Sequence, residues 1–115
     1  MDSSKFGFVS PSGGPPFEAH LEKLDEPAKS ILLDLRAFVK SLGPNVIEEV
    51  RPHRIVYAKT LTFRTFLDIE PAGGDHLIIE IRAGRQEAPV RATVRTQQDA
   101  DEVKEKIAQA YEKVR

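Results

Sequence analysis

The sequence predicts an α+β fold: an antiparallel sheet of four or five strands, with an N-terminal helix (or helix pair) and a C-terminal helix packed on one face. Between Asn45 and Thr96, short runs alternate apolar with polar residues: Val46-Ile47, Ile55-Val56-Tyr57, Phe63/Thr65/Leu67/Ile69, Leu77/Ile79/Ile81 and Ala92/Val94. Period two with one apolar face is the pattern of antiparallel strands lying between a core and solvent. An amphipathic helical pattern stands on either side of this stretch, and no repeat or second composition regime interrupts it. The chain therefore divides into a flexible arm, 1–16, and a single domain, 17–115.

The arm is rich in Ser, Gly and Pro (Ser10-Pro11-Ser12-Gly13-Gly14-Pro15-Pro16), a composition that buries too little to order itself. Phe6, Phe8 and Val9 interrupt it and suit a short apolar latch. Phe17 to Leu24 allows two helical turns with Phe17, Leu21 and Leu24 on one face. Asp25 suits an N-cap and Pro27 a first turn, where its missing N–H costs nothing. From Ala28 to Leu42, the residues Ile31, Leu32, Leu35, Phe38, Val39 and Leu42 make one stripe. Gly43-Pro44 stops that helix.

Strands are expected at 46–50, 54–59, 62–70, 76–82 and 91–95. Pro71 to Asp75 joins the third to the fourth, with Gly73 and Gly74 free to take positive φ. Matching apolar faces pairs Ile69 with Leu77, Leu67 with Ile79 and Thr65 with Ile81. Odd slips are excluded, because they would turn Glu80 toward the core. The last helix runs from Gln97 to Val114. Thr96 is its expected N-cap, with Asp99 as capping-box partner. Val103, Ile107, Ala110, Tyr111 and Val114 form its buried stripe.

Composition excludes several chemistries. With 115 residues and no Cys, the chain has no disulfide, thiolate metal site or Cys nucleophile. No apolar run approaches the ~18 residues of a membrane span. The first residues lack the basic stretch and apolar run of a signal peptide, so the expected location is cytoplasmic and no membrane is expected as partner. A net charge of −1 argues against a dedicated binder of duplex DNA. That total hides a segregation. Pro16 to Val50 holds seven acidic and four basic residues, whereas Arg51 to Arg95 holds eight basic and five acidic. The sheet segment thus carries about +3 against about −3 for the first helical region, a surface suited to an anionic partner.

The order Gly43-Pro44, Arg54-Ile55-Val56-Tyr57, Thr62-Phe63, Leu77-Ile78-Ile79-Glu80-Ile81-Arg82 and Gln109-Ala110-Tyr111-Glu112 resembles a small bacterial and archaeal family of uncharacterised proteins, a domain of unknown function sometimes labelled predicted transport protein. That family is similar in layout to the YdhG-like, frataxin-like group of proposed iron chaperones. The resemblance covers about Phe17 to Lys113. It implies an α-β(4–5)-α fold and no established activity.

The expected register sets Arg64 opposite Arg82, Phe66 opposite Glu80, Asp68 opposite Ile78 and Glu70 opposite His76 on the outer face. Arg91, Thr93 and Arg95 project to the same side. Like charges directly opposed cost stability, so Arg64 and Arg82 call for a carboxylate such as Glu80 or for an outside anion. Arg64, Arg82, Arg91 and Arg95, with Phe66 as a stacking ring, are the candidate ligand-binding residues for an anion or nucleic acid. Against this stands a plain salt-bridged, solvated face. The apolar residues Val56, Phe66 and Ile78 on the same side suit cover by a second subunit, a homodimer.

Metal candidates are weaker. Glu70, Asp75 and His76 make the best local cluster and Glu48-Glu49 a lesser one; His20, His53 and His76 lie far apart. No cofactor is implied. Gly73-Gly74 and Gly84 lack the Lys-Ser/Thr of a phosphate loop, and the Ser residues lack a matched His and acid. No catalytic residue is assigned. Tyr57 and Tyr111 read as core residues with bonded hydroxyls. The expectation is a non-enzymatic binding or interaction module using a basic sheet face. The alternative is a small-ligand or iron carrier of the frataxin-like kind.

Overall fold

The computed structural model describes residues 16–60, 64–84 and 87–114. Helices α1 (Phe17–Glu22) and α2 (Ala28–Lys40) precede five strands: β1 (Val46–Val50), β2 (Ile55–Lys59), β3 (Arg64–Ala72), β4 (His76–Ile81) and β5 (Val90–Val94). Helix α3 (Gln97–Lys113) follows. The strands form one antiparallel sheet in chain order, each beside its successor. This is the predicted α+β layout with the full five strands. The arm expected at 1–16, with its latch residues Phe6, Phe8 and Val9, lies outside the described residues except for Pro16. Among the described residues no helix is long and apolar enough to cross a membrane.

One cluster buries Ile31, Leu32, Leu35 and Val39 of α2 and Val103, Ile107 and Ala110 of α3 against Ile55, Leu67, Ile69, Leu77, Ile79 and Val94 of the sheet. All three helices therefore lie on one face, and the alternation of the strands turns their remaining side chains the other way. The start of α2 departs from expectation. Asp25 does not cap it. Pro27 stands at the N-cap without a side-chain bond, and the Glu26 carboxylate instead accepts from the Ser30 N–H (3.2 Å) and hydroxyl (2.6 Å). Asp25 spends its own N–H on the Gly74 carbonyl at 2.7 Å, tying the helix turn to the β3–β4 hairpin. At α3 the expected capping box is present. Asp99 N–H donates to Thr96 Oγ1 (3.1 Å) and Thr96 N–H to Asp99 Oδ2 (3.2 Å).

The β3–β4 register differs from expectation by two residues. Ile69 faces Ile79, Leu67 faces Ile81 and Pro71 faces Leu77. Strand β3 runs on through Ala72, and the loop shrinks from five residues to Gly73, Gly74 and Asp75. Positive φ at Gly73 (63°) and Gly74 (81°) makes the tighter reversal cheap. A shift of two keeps every apolar face matched, so apolar matching alone could not exclude it.

A second difference lies between β2 and β3. Tyr57 faces Leu67, but Ala58 faces Thr65, so Phe66 is an extra residue on β3. This bulge turns Phe66 inward. It was expected on the outer face beside Glu80; it is fully buried instead, and its ring meets Tyr111 of α3 edge-on with centroids 5.5 Å apart. Thr65 takes the outer side in its place, level with Ala58.

Candidate functional site

Across the open face runs a row of one residue per strand: Glu49, Val56, Asp68, Glu80 and Arg91. The opposed like charges are therefore Asp68 and Glu80, not Arg64 and Arg82. Two carboxylates side by side repel, and each has an arginine. Arg54 Nη1 stands 3.4 Å from Asp68 Oδ2, and Arg82 pairs with Glu80. The carboxylate expected beside Arg82 is thus Glu80 indeed, reached along its own strand.

Above this row the surface is concave. A hollow of about 660 Å³, reaching round the end of the sheet to Val114 after α3, is lined by Arg51, Arg54, Arg64 and Arg82, by the carboxylates Asp68 and Glu87, and by the apolar Val56, Pro89 and Val114. Four guanidinium groups face two carboxylates in the lining; three of the four are already paired, Arg51 with Glu49 at 2.9 Å, Arg54 with Asp68 and Arg82 with Glu80. Its arginines come from three segments. Arg51 and Arg54 stand at either end of the β1–β2 turn, Arg64 opens β3, and Arg82 follows β4. The turn is held from below. Arg51 N–H donates to the Arg54 carbonyl (2.8 Å), and Pro52 suits the second position of such a turn. Buried His20 of α1 donates through Nε2 to the Arg51 carbonyl at 2.7 Å, and Lys23 Nζ to that of Pro52 at 3.2 Å. His20 is thus a buried clasp beneath the turn.

Beside this hollow lies a smaller one of about 130 Å³, lined by Arg54, Asp68, Glu70, Ile78, Glu80 and Arg91. Here three carboxylates face two guanidiniums. The Arg54–Asp68 pair belongs to both. Asp68 is 9% exposed, and its Oδ1 is buried without a hydrogen-bond partner among the described residues.

The structure brings together only part of the expected set. Arg64 and Arg82 line the larger hollow and Arg91 the smaller. Arg95 is at the far end of the sheet, about six residues along the strands from Arg82 and so on the order of 20 Å away; it stands 3.6 Å from Asp75. Phe66 is in the core. Of the apolar residues expected outside, Val56 and Ile78 remain. Arg51, Arg54 and Asp68 were not singled out from sequence. Arg54 was within reach of it, since counting back two from Val56 gives it the same face.

The acidic candidates for a metal fall apart. Asp75 Oδ1 meets His76 Nδ1 at 2.5 Å, and that bond first, then the charges of His76 and Arg95, hold the Asp75 carboxyl below its ordinary range. Glu70, however, faces Ile78, because the register shift sets Ala72 opposite His76. Glu48 and Glu49 point to opposite faces. Among the described residues no three His, Asp or Glu side chains converge as metal ligands.

Glu48 belongs instead to an ionic cluster beneath α2. Arg36 grips it with both Nε and Nη2 at 2.9 Å, the Tyr57 hydroxyl donates to it at 2.7 Å, and Lys40 lies 3.5 Å away. Burial pushes the Glu48 carboxyl up, but the bonds from Arg36 and Tyr57 outweigh it, and the net is a lowered value. Burial, then the Glu48 charge, pushes the Tyr57 phenol far above its ordinary range. Every oxygen here is engaged, so the cluster joins helix to sheet and leaves no group for a ligand. Tyr57 is the buried residue with a bonded hydroxyl that its sequence context predicted.

No family model, curated protein or solved structure matches the chain.

Proposed function

We propose that this chain is a binding module, without turnover, that takes a small anionic ligand bearing a phosphate or carboxylate group in the arginine-lined hollow of the open sheet face. One observation carries the reading: Arg51, Arg54, Arg64 and Arg82 converge from three separate segments on one concavity of about 660 Å³, a size typical of small-molecule sites. Guanidinium forks match carboxylate and phosphate oxygens in pairs. Among the described residues Arg64 has no carboxylate within 4 Å, whereas Arg51, Arg54 and Arg82 each have one. Nucleic acid is the weaker form of the same expectation. With Phe66 in the core, no Phe, Tyr or Trp among the described residues stands on this face for a base to stack on.

Titration of inorganic phosphate into labelled protein at low ionic strength tests the reading. Amide shifts are expected at the β1–β2 turn, at Arg64 and at Arg82, fading as salt approaches about 0.15 M. Arg64→Ala with Arg82→Ala should remove them; both side chains are half-buried, so a dispersed amide spectrum verifies that the double variant folds. Shifts that map elsewhere, or that survive both substitutions, overturn it.

A further inference from the structure

The two hollows form one trough of opposite polarity at its ends. The larger end carries Arg51, Arg64 and Arg82 with Glu87; the smaller carries Glu70 and Glu80 with Arg91; Arg54 and Asp68 line both. Asp68 is the unusual member. It is nine-tenths buried on a face with no helix over it, it stands opposite another carboxylate, and its Oδ1 has no partner among the described residues. A buried acceptor left unbonded is costly, and a buried carboxylate oxygen more so. Its one ionic partner among the described residues, Arg54, is about half exposed and touches only Oδ2, at the long distance of 3.4 Å. Arg54 lines both hollows; a donor reaches the buried Oδ1 only if the side chains around Asp68 move.

Resting on the anion-binding reading above, we infer that the ligand is zwitterionic: its anionic group lies on Arg64 and Arg82, and an ammonium on the same molecule donates to Asp68 Oδ1, with Glu80 alongside. Such a ligand satisfies both ends at once. It turns the Asp68–Glu80 repulsion into attraction for its cationic end, whereas a plain anion leaves those carboxylates opposed and is itself repelled by them.

The test compares inorganic phosphate with phosphoethanolamine, 4-aminobutyl phosphate and 6-aminohexyl phosphate by calorimetric titration of the full chain. At least one aminoalkyl phosphate should bind about tenfold or more tightly than phosphate, the gain of one hydrogen bond to a charged group. In Asp68→Asn the ratio of aminoalkyl phosphate to phosphate affinity should fall to about one, whatever the phosphate affinity itself; a dispersed amide spectrum verifies that this variant folds. If no aminoalkyl phosphate exceeds phosphate, or the advantage survives in Asp68→Asn, the inference is overturned while anion binding stands. If phosphate itself fails to bind, both fall.

Discussion

The hydroxyl of Tyr111, near the end of α3, stands against the α-carbon of Gly43, just past the end of α2. A Cβ placed on Gly43 would overlap that oxygen and lie 3.2 Å from Cζ. Two motifs that the sequence sets 68 positions apart, Gly43-Pro44 and Ala110-Tyr111, are thus one contact. Gly43→Ala should destabilise by about 1–3 kcal/mol from overpacking, more than the ~0.4–1 kcal/mol that restricting the unfolded chain returns. Tyr111→Phe removes the overlapping oxygen, so the double variant should lose less than the sum of the singles, with a coupling of at least about 0.5 kcal/mol in urea denaturation. Strict additivity would mean that the two residues do not touch.

Phe66→Ala discriminates the bulge from a straight strand. With the ring fully buried against Tyr111, the loss should be about 3–5 kcal/mol. On an outer face it would be within about 0.5 kcal/mol.

Leu35→Ala should cost about 2–5 kcal/mol by leaving a cavity between α2 and the sheet. A loss under about 1 kcal/mol would show the helix face to be misassigned.

Glu48 gives stability a pH dependence. Its carboxyl is lowered in the folded state, so the stability it contributes is present above the ordinary Glu value of about 4.3 and is lost as pH falls through the folded-state value. Glu48→Gln should flatten the acid limb of a stability profile taken from pH 7 downward and leave the neutral plateau lower. An unchanged slope would mean that Arg36 and Tyr57 do not hold the charged form.

Amide contacts should link Ile69 with Ile79 and Leu67 with Ile81. Nuclear Overhauser contacts joining Leu67 to Ile79 instead would restore the longer hairpin loop.

The layout was legible because it rests on periodicity. The Ile31–Val39 stripe, the alternating strands and the Thr96–Asp99 cap are local signals, and local signals survive folding when neighbours agree with them. The site was only half legible. Arg64 and Arg82 could be read as a pair near one end of the sheet. Whether Asp68 faces Ile78 or Glu80 depends on an even shift that costs nothing in apolar matching. Phe66 was misplaced for a related reason: strict alternation assigns it outward, and nothing in the residues around Tyr57 and Ala58 announces an extra residue in the facing strand. His20 and Arg51 meet only through the tertiary fold.

The bulge at Phe66 has an evolutionary consequence. It sits between the residue that opens the larger hollow, Arg64, and the run from Leu67 that locks β3 to both neighbours. A lineage that lost the Phe66 codon would straighten the ladder with Thr65 still facing Ala58, but would take from the core the ring that meets Tyr111. Arg54, Asp68, Glu80 and Arg82 lie outside the hydrophobic cluster and can drift toward new ligands one at a time. Length changes before Leu67 cannot, because the recognition surface and the hydrophobic interior share that single residue. Descendants of this chain should therefore vary freely in the chemistry of the trough while the spacing from Arg64 to Leu67 stays fixed.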